Sequence, residues 1–112
     1  MTRAPWFVQA LEPYSPDLVQ LAQSATGTLM KDGTLDVKTK SLIMLALEIA
    51  DGNKAGTADL AGVCRRVGAT DAEIADVVRV VYLQAGLGRL SASVSAFPNA
   101  SHPLDTAESA AL

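Results

Sequence analysis

Three side chains bear most directly on what chemistry this sequence could do: Glu48, Cys64 and His102. Glu48 interrupts the nearly all-apolar run Ser41–Leu47, and at helical spacing Ser41, Leu45 and Glu48 share one stripe. A carboxylate with apolar neighbours on both sides either finds a partner or faces a cavity, where it could act as a general base; the plainer alternative is that it emerges at the exposed side of the helix near Asp51. Cys64 is in phase with Leu60 and Val67 on the apolar side of the next segment, where a thiol away from cations behaves as a small hydrophobe rather than a nucleophile. It is the single cysteine, so it makes neither an intramolecular disulfide nor a two-cysteine redox pair within one chain. His102, the single histidine, lies between Ser101 and Pro103 in a polar stretch, whereas a catalytic base must be held in register with its substrate. It reads as a bystander. With no second histidine and no glycine-rich loop after a strand, neither a metal site nor a cofactor is implied.

The elements that position these groups read as helices. Ser15-Pro16-Asp17 is a helix start, with Ser as cap, Pro at the first helical position and an acid in the first turn. Leu18, Leu21, Ala22, Ala25 and Leu29 then share a face, predicting a helix from Pro16 to about Met30. Lys31 to Thr34 reads as a turn in which Asp32-Gly33 supplies left-handed backbone. Asp36 caps a core helix from Val37 to about Asp51, apolar over more than half its circumference and therefore expected to be buried on most sides, by other helices or by another subunit. An amphipathic segment carrying Leu60, Ala61, Val63, Cys64 and Val67 stops at Gly68. Thr70 and Glu73 then form a capping box for a helix with Ile74, Val77, Val78, Val81, Tyr82 and Ala85 in phase. Gly86-Leu87-Gly88 is expected to break or bend it, leaving a last short helix around Leu90, Val94 and Phe97. Trp6, Phe7, Val8 and Leu11 form an apolar N-terminal arm, docked on the body or serving as a subunit contact. From Pro98 the chain is polar and small, a mobile tail following a single domain over residues 1–97.

Composition narrows the function classes. The 112 residues suit one domain, and 49% hydrophobic content with 4% aromatics describes a core of Ala, Leu, Val and Ile, suited to closely packed helices. Nine basic against twelve acidic residues give a net charge of -3 with no basic cluster beyond Arg65-Arg66, so a nucleic-acid partner is not expected. The longest apolar run, Leu42 to Leu47, is far short of the ~20 residues of a membrane-spanning helix. No secretory signal pattern opens the chain, so a cytoplasmic location is expected.

The stretch from Gly33 to about Ala96 resembles the carboxymuconolactone decarboxylase family, which includes the alkyl hydroperoxidase D-like proteins. The resemblance is carried by Asp32-Gly33-Thr34-Leu35-Asp36, by Lys38-Thr39-Lys40 followed by Leu42-Ile43-Met44-Leu45-Ala46, and by Val67 to Ile74 ahead of a Val-rich helix. It implies an all-α, alkyl hydroperoxidase D-like helical bundle, assembled as a homotrimer or homohexamer. In the hydroperoxidase-like branch a Cys-x-x-Cys pair, a following His and a Glu in the preceding helix do the chemistry; the corresponding positions here are Asn53, Gly56, Leu60 and Ser41. Leu60 also replaces the histidine of the decarboxylase branch. The sequence thus reads as a family member that has lost the redox centre and binds a small molecule, or works in assembly, through the space where that centre would be. Ser41, Glu48, Asn53 and Asp59 are expected to line or border that space. Two alternatives remain open: an enzyme with Glu48 as general base and Asn53 or Arg65 orienting an anionic substrate, and a structural oligomer without ligand.

Overall fold

A computed structural model describes residues 5–100 and Pro103; His102 and most of the expected tail lie outside the described residues. Every regular element described is helical: α1 (Trp6–Ala10), α2 (Pro16–Leu29), α3 (Val37–Ala50), α4 (Lys54–Arg66) and α5 (Asp71–Ser93), followed by one 3₁₀ turn, Val94–Ala96.

The boundaries follow local chemistry. Asp36 Oδ1 accepts from the Thr39 amide at 2.7 Å and opens α3. Thr70 and Glu73 close both arms of the capping box, at 3.1 and 2.9 Å, and open α5. Helices α3 and α4 end alike. Gly52 and Gly68 take positive φ, +71° and +99°. Around Gly52 the Asn53 amide donates to Glu48 O and the Gly52 amide to Ile49 O; around Gly68 the Ala69 amide donates to Cys64 O and the Gly68 amide to Arg65 O. Both sets are Schellman motifs, which satisfy carbonyls that a helix end leaves orphaned.

The structure departs from three local expectations. Ser15 occupies the cap position of α2 without a side-chain hydrogen bond. Gly33 does not take positive φ, because α2 has already ended at Leu29; Asp32 Oδ1 instead accepts from the Val37 amide ahead of α3, at 2.9 Å. Gly86 and Gly88 do not break α5, which runs unbroken for 23 residues. Two glycines cost such a helix roughly 1 kcal/mol each against alanine but remove no hydrogen bond, and the Leu, Gln and Arg around them are good helix formers.

The bundle is α3, α4 and α5, with Leu45, Cys64 and Ala69 at its centre and Leu42, Ile49, Leu60, Ala61, Ile74 and Val77 packed around them. The Lys38 ammonium reaches Glu73 Oε2 at 2.6 Å and ties α3 to the start of α5. Helices α1 and α2 pack on each other and make no helix-to-helix contact with the bundle; Val19 is the buried residue of α2. Lys40 Nζ bonds to the carbonyls of Leu29 and Lys31, both at 2.8 Å, and holds the end of α2 to the start of α3. The expectation for α3 needs correction at the level of one chain: only Ser41 and Leu45 are buried on it, while Ile43, Met44 and Leu47 stay exposed. The radius of gyration, 19.7 Å, is well above the about 13 Å of a compact 100-residue domain.

Candidate functional site

One tight corner assembles the polar part of the site. The Schellman turn at the end of α3 sets Asn53 directly after Gly52, and Asn53 then caps α4, its Oδ1 accepting from the Gly56 amide at 3.0 Å. Glu48 comes off the last turn of α3 and its carboxylate lies against Gly56. A Cβ at Gly56 would overlap that carboxylate, 2.6 Å from its Cδ, and would stand 2.9 Å from Asn53 Nδ2. Gly56 is therefore what lets the acid approach the start of α4. No hydrogen bond or ion pair holds the half-buried Glu48 side chain among the described residues.

Beside this corner is a cavity of about 710 Å³, within the range of small-molecule sites. Glu48 and Met44 border it from α3, Asn53 from the turn, and Gly56, Asp59, Leu60, Val63 and Arg66 from α4. Pro5, Trp6 and Phe7 close the far side, the two rings meeting edge to face at 6.0 Å and 83°. The walls are apolar, and two carboxylates, one amide and one guanidinium supply charge and hydrogen-bonding groups of both kinds.

Of the residues singled out in the sequence, Glu48, Asn53 and Asp59 line this cavity and Ser41 does not. Ser41 is fully buried, and its Oγ has no hydrogen-bond partner among the described residues. It shares a stripe with Glu48 but lies seven residues earlier, about 10 Å along the axis. At that level the stripe is covered, whereas Glu48 emerges where α4 begins. Arg65, one of the two residues considered for orienting an anion, does not line the cavity: its Nε donates to Asp71 Oδ1 at 3.0 Å, across the corner from α4 to α5. The neighbouring Arg66 lines the cavity instead. Helical spacing carried that signal, since Asp59, Gly62, Val63 and Arg66 fall on one face of α4. Nothing local could have placed Trp6 and Phe7 there.

Cys64 lies outside the cavity, fully buried in the core. Burial pushes its thiol above the usual cysteine range, with the Arg65 charge opposing in part. Among the described residues no cluster of three His, Cys, Asp or Glu side chains could hold a metal ion. None of their helices is long and apolar enough to cross a membrane.

The model of the carboxymuconolactone decarboxylase family matches residues 16–98, three quarters of the sequence. The chain belongs to the carboxymuconolactone decarboxylase family, and its all-helical architecture agrees with that membership. Neither the curated proteins nor the solved structures contain a significant match to it.

Proposed function

We propose that this chain is a family member without the Cys-x-x-Cys/His redox centre, working as a homo-oligomer that binds a small, largely apolar molecule in the cavity beside Glu48. The observation that carries this reading is positional. The places that the family pattern gives to its two cysteines and histidine are here Asn53, Gly56 and Leu60, and all three border the cavity. The space survives while its redox groups are replaced by an amide, a glycine and an aliphatic side chain. An apolar ligand body fits the Met44, Leu60 and Val63 walls, and a single polar group on it can meet Glu48, Asn53 or Arg66.

Trp6 provides the assay, since it is the single tryptophan of the sequence and borders the cavity. A panel of small aromatic and aliphatic amines, carboxylic acids and lactones is titrated while tryptophan emission is followed. At least one class should shift it saturably in the parent and not in Ala58→Leu, which fills a lining position. No saturable shift with any class, or the same shift in Ala58→Leu, rejects the reading.

An enzymatic reading draws support from Glu48, a half-buried carboxylate on the cavity wall that no cation or donor among the described residues occupies. In that case Glu48 is the general base, and Arg66 rather than Arg65 is placed to orient an anionic substrate. Unchanged turnover in Glu48→Gln, for a substrate taken from the ligand panel, rejects it.

A further inference from the structure

Helix α5 and the 3₁₀ turn that follows it carry a second apolar stripe that the described residues leave exposed. Val80, Leu83, Leu87, Leu90, Val94 and Phe97 follow one another at alternating steps of three and four residues, and each is between 41 and 66% exposed. That alternation is the 3.5-residue period of a helix seam that packs against another helix of the same kind. Its part on α5, Val80 to Leu90, extends about 15 Å along the axis, and the 3₁₀ turn carries Val94 and then Phe97 beyond it. It begins where the core ends: the α5 residues packed against the buried core are Ile74 and Val77, and every stripe residue beyond them is exposed.

We infer that this stripe is an interface with a second copy of the chain, the two α5 helices running antiparallel across a twofold axis near Gly88. The inference rests on the proposed homo-oligomer and specifies how two of its subunits meet. Three observations select this occupant and orientation. First, the stripe can face itself: it holds no charged residue, and its flanking positions are Arg79, Gln84, Gly86, Ser91 and Ser93, of which one is charged and three are small enough for close approach. Second, one heptad back along the same stripe stand Glu73 and Asp76. Parallel pairing in register would bring these acids against their own copies, whereas antiparallel pairing carries them past the end of the partner seam. Third, antiparallel pairing about that axis matches all six positions, Val80 with Phe97, Leu83 with Val94 and Leu87 with Leu90. It delivers Phe97 of each copy to Val80 of the other, which lines a groove of about 370 Å³ between α3 and α5 whose floor is Leu42, Ile43, Ala46 and Val77 and whose rim carries Thr39, Glu73 and Asp76. That groove and the exposed Ile43 are the side of α3 that the described residues leave open.

The full-length chain is examined by sedimentation across a concentration series, with Leu87→Asp at the centre of the seam and Tyr82→Asp as a control on another face of α5. The parent and Tyr82→Asp should associate alike, and Leu87→Asp should weaken association at least 100-fold. Orientation is read by oxidising an equimolar mixture of Leu87→Cys and Leu90→Cys chains of different mass; the antiparallel pair gives the mixed disulfide dimer. This second measurement decides the matter even where Leu87→Asp fails to fold. Self-linked dimers in place of mixed ones overturn the orientation, and no cross-linking in an associated protein overturns the interface. A Leu87→Asp chain that stays folded and fully associated also overturns the interface while leaving the oligomer standing. A parent that is monomeric at every concentration overturns both.

Discussion

Gly56→Ala puts the geometry of the cavity corner to a quantitative test. In an ordinary helix interior the substitution stabilises by about 0.8–1.0 kcal/mol. Here the new methyl meets the Glu48 carboxylate, 2.6 Å from its Cδ, and Asn53 Nδ2 at 2.9 Å. Glu48 is long and half-exposed, so it swings aside at a cost of about 0.5–1 kcal/mol in rotamer strain. Asn53 has less freedom because its Oδ1 holds the Gly56 amide, and disturbing that cap costs about 1 kcal/mol. The sum is a net loss of roughly 0.5–1 kcal/mol, opposite in sign to helix propensity. Urea unfolding at one fixed protein concentration measures it, since association also moves apparent stability. In a cycle with Glu48→Ala the heavier overlap is gone, and the alanine at position 56 should recover about 0.5–1 kcal/mol. A Gly56→Ala protein more stable than its parent, or a cycle with no coupling, refutes the claim that Glu48 rests on this glycine.

Gly68→Ala should cost about 1–2 kcal/mol in the same unfolding assay: φ is +99° and no atom stands within 4 Å of the added Cβ, so the loss is backbone strain alone. Ser41→Ala removes a buried hydroxyl that has no partner among the described residues and should raise stability by about 1 kcal/mol; a loss of that size would show that the hydroxyl is bonded. Glu73 is held below the usual carboxylate range by the Lys38 ammonium first and the Thr70 amide second. Its folded pKa is thus lower than its unfolded one, so its contribution is full above about pH 5 and is lost as pH falls toward and through the folded value. Lys38→Met should flatten the acid limb of the stability profile, and an unchanged limb counts against the pairing.

Legibility in the sequence tracked the range of the interaction. The capping box at Thr70, the Asp36 cap and the glycine stop at Gly68 are settled within four residues, and the structure shows all of them. At Gly33 and at the pair Gly86 and Gly88 the structure departs from the local expectation for one reason: glycine permits a break without requiring one, and the flanking residues decide. At the site, the closeness of Glu48 and Asn53 follows from a turn whose glycine is visible in the sequence. Ser41 is buried outside the cavity because helical phase gives direction but not depth along α3. Arg65 and Arg66 are adjacent and chemically equal; only the position of Asp71 and the face shared with Asp59 separate them. The aromatic wall of Trp6 and Phe7 depends on where a hairpin outside the bundle comes to rest.

That hairpin has a consequence for the proposed homo-oligomer. Helices α1 and α2 are fastened to α3 through the Lys40 ammonium on two carbonyls and the connection after Leu29, without a packed face against the bundle. A unit joined this way can be exchanged between identical chains at little energetic cost, because the same contacts re-form with the neighbour's bundle. Once exchanged, Trp6 and Phe7 of one chain close the cavity of another, and each site becomes the joint property of two polypeptides. Shortening the segment from Met30 to Asp36 would then favour the swapped arrangement, and ligand affinity would come to depend on protein concentration.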